Sequence, residues 1–211
     1  MFTGLVEATG QLTRRDRVGP DARLEIKVGD IGEPLVLGES ISIDGCCLTV
    51  QTILPDGSGF VCDASSETLA RTTLGELTLP ATINLERATP LGGRMGGHIV
   101  TGHIDGTGVL LEREPVGEMS KLTFGYPANL ARFIAEKGSI CVNGVSLTVN
   151  GVGADRFDVM IIPHTAKVTS LGILSPGGKV NLEVDVLARY ILRAREVDSH
   201  AALTASTKSG T

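Results

Sequence analysis

The chain has 211 residues, 42% hydrophobic and 20% charged, which suits a globular protein of one large domain or two small ones. A formal net charge of −5 argues against nucleic acid as the main partner, because phosphate binding needs a basic face. No apolar run approaches the roughly 18 residues that span a bilayer, and the opening MFTGLVEATG lacks the pattern of a secretion signal, so a cytoplasmic location away from membranes is expected.

With 27 Gly and 9 Pro, short strands between turns are expected rather than long helices. ESISIDG alternates, placing Ile41 and Ile43 on one face and Ser40, Ser42 and Asp44 on the other. Asp44–Gly45 is a hairpin-turn signal, and CLTV (Cys47 to Val50) reads as the return strand. SSETLARTTLG (Ser65 to Gly75) predicts a capped helical turn or two, and ATINLE (Ala81 to Glu86) a further strand. PANLARFIAEKG (Pro127 to Gly138) predicts a short helix with Leu130, Phe133 and Ile134 on one face. SICVNG, SLTV and KVNLEV then repeat the strand–turn–strand pattern, with Asn143–Gly144 at the turn. VLARYILRAREV sets Leu187, Tyr190, Ile191 and Ala194 on one helical stripe, which needs cover from its own domain or from copies of the chain. Residues 199–211 are small and polar, and a disordered tail is expected there.

Four blocks occur twice in the same order. TGLVEATG (Thr3 to Gly10) returns as TGHIDGTG from Thr101, 98 positions on, and GCCLTV returns as GVSLTV, 99 positions on. FVCDASSET (from Phe60) and NLE (from Asn84) find FDVMIIPHT and NLE 97 positions on. The register drifts so little that a tandem duplication is expected, with its seam near LGGRMGG (Leu91 to Gly97). Strands with frequent turns, written twice, predict two similar small antiparallel β-barrels.

A duplicated binding scaffold offers two related sites, so chemistry is sought where matched positions differ. Cys47 faces Ser146, Leu5 faces His103, Glu67 faces His164, Gly38 faces Lys137 and Ala88 faces Asp185. Taken singly, each has a plain structural reading. Cys47 reads as a small apolar residue, His103 as a structural histidine, Lys137 as a helix-end charge and Asp185 as an N-cap. The informative feature is that His103, Lys137, Ser146 and Asp185 gather in one copy. Cys46, Cys47, Cys62 and Cys141 show neither CxxC spacing nor nearby His pairs, which speaks for reduced thiols and against a metal site.

MFTGLVE, DGCCLTV, GGHIVTGHIDG, GVSLTV, SSETLARTTLG and IPHTAKVTSLG together resemble the riboflavin synthase family, and the likeness runs from Met1 to about Arg195. The resemblance implies a mainly β chain of tandem duplicated six-stranded antiparallel Greek-key barrels, with short helices and a C-terminal helix. It divides the chain into lumazine-binding barrels at 1–97 and 98–185, an oligomerisation helix at 186–198 and the tail at 199–211. The implied reaction is a dismutation of two 6,7-dimethyl-8-ribityllumazine molecules by four-carbon transfer, giving riboflavin and 5-amino-6-ribitylamino-uracil. Two substrate molecules in each active site, a homotrimer, and no cofactor or metal are implied with it. A lumazine synthase is a further candidate partner.

Carried over motif by motif, the N-terminal site takes Gly4, Leu5 and Val6, then Cys47, Leu48 and Thr49, then Asp63, Ala64, Ser65, Ser66, Glu67 and Thr68. The C-terminal site takes Gly102, His103 and Ile104, with Lys137, then Ser146, Leu147 and Thr148, then Met160, Ile161, Ile162, Pro163, His164 and Thr165. His103, assisted by Thr148, is the expected manager of the lumazine C7-methyl proton. Cys47 or Ser146 adds to, or delivers water to, the electrophilic C7 of the other ring, while Lys137 and Asp185 position the pair. Asn143 departs from the Asp this family often shows there, and as an amide it is read as a positioning residue. Two rivals are a relative that carries lumazine or flavin without converting it, and the flavin-binding barrel of oxidoreductases. The second needs an Arg-x-Tyr-Ser/Thr strand that RYI (Arg189 to Ile191) does not supply.

Overall fold

The computed structural model describes residues 1–208, with side chains described to Ser199. Alternation builds the first sheet as expected. In β2 (Asp21–Val28) the side chains of Ala22, Leu24 and Ile26 point inward and their neighbours outward. β2 pairs with β1 (Ala8–Val18) on one side and with β6 (Gly59–Ala64) on the other. β1 continues to β7 (Ala81–Arg87), then β3 (Ser40–Ile43) and β4 (Cys46–Thr49), while the two-residue β5 (Thr52–Ile53) lies against β6. The second half has β8 (Gly106–Val116), β9 (Met119–Gly125), β10 (Ser139–Val142), β11 (Val145–Val152), β12 (Arg156–Ile161) and β13 (Lys179–Val184). These six close in the order β10-β11-β12-β9-β8-β13.

The expectation of two alike six-stranded barrels is therefore corrected. Only the second half closes; the first is an open seven-stranded sheet in the order β4-β3-β7-β1-β2-β6-β5. The difference lies in one strand. β11 runs unbroken and absorbs its irregularity as a bulge between Val149 and Gly151, so one strand bridges β10 to β12. At the matching place the first half breaks off after Thr49 and resumes at Thr52. With Val50 and Gln51 outside any strand, β4 and β5 become the two edges of the sheet; the bond from Val50 N–H to Glu39 O (3.0 Å) recurs from Val149 to Gly138 in the closed half and is not what separates them.

Both predicted hairpin turns are present, with Asp44 and Gly45 at φ 44° and 84° and Asn143 and Gly144 at 47° and 81°. Positive φ at both central residues is the geometry that a two-residue hairpin favours. The two tips meet: a Cβ on Gly45 would stand 2.8 Å from Gly144 N. Around them the Asn of each NLE motif stitches the halves together. Asn84 Nδ2 donates to Asn143 O (2.8 Å) and Asn181 Nδ2 to Asp44 O (2.9 Å). Asn84 Oδ1 accepts from Ser170 N and Asn181 Oδ1 from Thr73 N. All six residues of this seam are buried, and Asn143 sits in it as a structural partner of Asn181, whose N–H it accepts at 2.7 Å.

α1 (Ser66–Arg71) is the predicted capped helix, Ser65 Oγ accepting from Thr68 N, and a single 3-10 turn carries it to Gly75. α2 (Pro163–Val168) is its counterpart. The helix expected over PANLARFIAEKG is only a 3-10 segment at Ala128–Phe133, whose first turn has no side-chain cap. α3 (Val186–Lys208) continues past Ser199, where a disordered tail was expected, and residues 209–211 lie outside the described residues. Its stripe of Leu187, Tyr190 and Ile191 is exposed in the single chain. Among the described residues no helix is long and apolar enough to cross a membrane.

Candidate functional site

In each half a strand pair comes apart at one end, and the freed edges coincide with the predicted site. β4 pairs only with β3, and β6 has β5 beside it only at Phe60 and Val61, leaving Cys62 to Ala64 unpaired on that side. Likewise β11 meets β12 only from Val149 onward, so Val145 to Thr148 and Met160 to Ile161 flank a second gap. Cys47 N–H points into the first gap, donating to Gly102 O (2.9 Å), and Ser146 N–H points into the second, donating to Gly4 O (2.8 Å). Strand period is two, so Thr49 and Thr148 turn their backbone groups the same way, and both are exposed. Unpaired strand-edge donors and acceptors are suited to the edge of a flat heterocycle.

The structure exchanges two segments between the sites. Gly4 belongs to the first half by sequence but packs on Ser146, and Gly102 belongs to the second half but packs on Cys47. The following residues agree: Val6 packs into the core of the closed barrel and Ile104 into the core of the open sheet. The grouping of Gly4, Leu5 and Val6 with Cys47, and of Gly102, His103 and Ile104 with Ser146, is thus corrected. Each crossing segment is held by the Glu of an NLE motif. Glu86 accepts from Thr3 N, Thr3 Oγ1 and Gly4 N at 2.7–3.0 Å. Glu183 accepts from Thr101 N, Thr101 Oγ1 and Gly102 N at 2.6–2.9 Å. Sequence comparison placed the NLE repeat without assigning it a task; its recurrence with the TG pair in both copies was the available signal.

His103 therefore stands over Cys47, in a cavity of about 300 Å³ shared with Glu67, Thr68, Arg71 and Ile104. Glu67 and Arg71 form an ion pair at 3.0 Å on its rim. Thr148 does not line this cavity; it lies on the second edge, in β11. Cys47 is half-buried, whereas Cys46, Cys62 and Cys141 are buried; burial pushes the thiols of Cys46 and Cys62 up to about 12. Leu48, Leu147, Ala64 and Ile161 turn their side chains into the cores, so they offer a ligand only backbone. Asp63 is paired with Arg23 at 3.1 Å, and Ser66 opens α1 beside Ser65. Met160 is half-buried, Ile162 and His164 are exposed, Pro163 begins α2, and Thr165 O accepts from Thr169 Oγ1.

Lys137 is not a helix-end residue. It is exposed in a turn at φ 62°, where its counterpart Gly38 has φ 84°. A lysine in a left-handed conformation costs about 1–2 kcal/mol relative to glycine, which points to a use for the side chain beyond the fold. Asp185 does cap α3, its Oδ1 accepting from Leu187 N at 2.9 Å. Arg189, one turn into that helix, donates to His103 O and pairs with Asp105, both at 2.9 Å, which ties the crossing segment to α3.

His98 was missed. It is buried, with Nδ1 at 2.7 Å from Ser146 Oγ. It lies inside GGHIVTGHIDG but outside the matched blocks, which start at Thr3 and Thr101 in the two copies.

The sequence pattern of the lumazine binding domain matches residues 3–88 and, a second time, 101–185. The chain belongs to the lumazine-binding family of riboflavin synthases. It is 47% identical over 196 residues to riboflavin synthase of Mycobacterium tuberculosis (strain ATCC 25618 / H37Rv), covering 92% of this chain and 97% of that one. Riboflavin synthase of Brucella abortus (strain 2308) is 42% identical over the same length, with the same two coverages. Among solved structures, LumP complexed with riboflavin superposes with a TM-score of 0.80 at 27% identity, covering 87% of this chain and 99% of LumP. LumP complexed with 6,7-dimethyl-8-(1'-D-ribityl) lumazine gives 0.78 at 26%, with the same coverages.

Proposed function

We propose that this family member is a riboflavin synthase, dismuting two 6,7-dimethyl-8-ribityllumazine molecules into riboflavin and 5-amino-6-ribitylamino-uracil. The observation that carries the reading is the pair of open strand edges, alike in backbone and unlike in side chains. Each edge takes the pyrimidinedione of one lumazine, through the outward backbone groups near Thr49 or Thr148. One ring gives four carbons and the other receives them, and the unlike residues meet that need. Cys47 and His103 stand at the first edge; Ser146, Thr148 and Lys137 belong to the second.

Two rings held face to face turn a bimolecular encounter into a positioned one. We assign that arrangement to a homotrimer, in which the first site of one chain faces the second site of its neighbour. His103 then meets Thr148 across the boundary and manages the C7-methyl proton. The exposed Leu187, Tyr190 and Ile191 of α3 offer an apolar surface for such an assembly. Under this reading residues 1–97 and 98–185 are the two lumazine-binding units and 186–198 the assembling helix.

A second reading is a carrier of lumazine or flavin that converts neither, favoured by the likeness to LumP at a TM-score of 0.80. Incubation with 6,7-dimethyl-8-ribityllumazine alone separates the two. The synthase reading predicts one riboflavin formed for two lumazines consumed, followed by absorbance, with no added cofactor. Tight binding with no riboflavin formed refutes it in favour of the carrier.

A further inference from the structure

The contact between His98 and Ser146 is used by nothing in the reading above, on which the ligand named below rests. His98 lies in the connection between the halves, its backbone N–H donating to Thr3 O at 3.1 Å. The residue is 9% exposed. Nδ1 meets Ser146 Oγ, and Nε2 is buried without a partner among the described residues. Burial lowers the basicity of the ring, against a smaller opposing pull from Asp185, so it is neutral near pH 7 and carries a single proton. A buried N–H with no acceptor is the rarer kind of orphan. The proton therefore belongs on Nδ1, where it is donated to Ser146 Oγ.

That leaves the hydroxyl proton of Ser146 to point elsewhere. Gly4 and Gly97 crowd Ser146 closely, each leaving less than 3 Å between its Cβ position and Ser146 Cβ, and the half-exposed remainder faces the edge that carries Thr148. Among the described residues no histidine is hydrogen-bonded to the side chain of Cys47, the matching residue.

We infer that His98 is a positioning residue that holds Ser146 as a hydrogen-bond donor to the lumazine at the second site. Loss of the C7-methyl proton spreads negative charge over the ring, and a donor fixed against a ring acceptor stabilises that anion. A serine oxygen already accepting from His98 is a poor nucleophile, so of the two residues at matched positions Cys47 is left as the one able to add to C7.

The test titrates the absorbance of bound 6,7-dimethyl-8-ribityllumazine against pH, with kcat and KM measured in parallel. His98→Ala is expected to raise the pH of ligand deprotonation by about one unit and to lower kcat roughly tenfold at little changed KM. His98→Asn, whose amide N–H can replace Nδ1–H, restores most of both, and His98→Gln does not. Combined with Ser146→Ala, His98→Ala adds nothing further. An unshifted titration in His98→Ala, additive effects in the double variant, or rescue by Gln and not Asn would each overturn the assignment. Where His98→Ala does not fold, the Asn and Gln variants decide it. The titration needs binding and not turnover, so a chain that binds without converting refutes the synthase reading while still testing this one.

Discussion

Gly102→Ala is expected to destabilise the chain by about 2–4 kcal/mol and to weaken lumazine binding beside Cys47 roughly tenfold or more. Gly102 sits at φ 83°, and a Cβ there would come 2.4 Å from Cys47 Cβ and 2.9 Å from Cys47 N. Backbone strain and collision act together. Relief requires the strand edge and the crossing segment to move apart, which breaks the Cys47 N–H bond to Gly102 O and pulls His103 away from the cavity. Gly19→Ala separates the two causes, because Gly19 has φ 63° and open space around its Cβ position. It is expected to cost about 1 kcal/mol and leave binding unchanged. Chemical denaturation and lumazine titration of both variants check this; equal behaviour of the two would contradict the close packing of Gly102 on Cys47.

Asp44→Asn is expected to stabilise the chain at pH 8 and to do little at pH 4. Asp44 is buried in the seam between the halves, and desolvation raises its carboxyl to about 7, against a smaller lowering effect from the Asn84 N–H it accepts. The folded state thus holds the proton more tightly than the unfolded state does. The contribution of this group to stability is complete below pH 4 and is lost as pH rises through about 7. The loss at pH 8 is on the order of 4 kcal/mol. An amide keeps the acceptor for Asn84 N without a charge to desolvate. The chain already contains that arrangement on the other side of the seam, where Asn143 Oδ1 accepts from Asn181 N at 2.7 Å. Urea unfolding of both proteins at pH 5 and pH 8 is the check; a variant less stable than the parent by the same amount at both would show the carboxylate to be favourable where it is.

Much of the fold was legible because it is local. Alternation in ESISIDG and SICVNG marks the buried Ile41, Ile43, Ile140 and Val142, and the Asp44–Gly45 and Asn143–Gly144 turns follow from their need for positive φ. The pairing of Cys47 with Ser146 across copies marked two strand edges that the structure leaves unpaired. The exchange of Gly4 and Gly102 was not legible, since it depends on which sheet a segment crosses to, and local pattern carries no such information. The opening of the first sheet hangs on whether Val50–Gln51 leaves the ladder while Val149–Asn150 stays as a bulge, and similar residues do both. The Glu86 and Glu183 clamps lay in plain view within a matched motif. Looking for chemistry only where copies differ passed over residues that do the same task twice.

The central claim is that one chain carries two lumazine sites, each completed by a segment from the other half. Equilibrium titration with a ribityllumazine bearing oxygen in place of the C7 methyl, which cannot lose that proton, counts them directly. Two ligands bound per chain, with unequal affinities, is the predicted result. Saturation at one ligand per chain would contradict it.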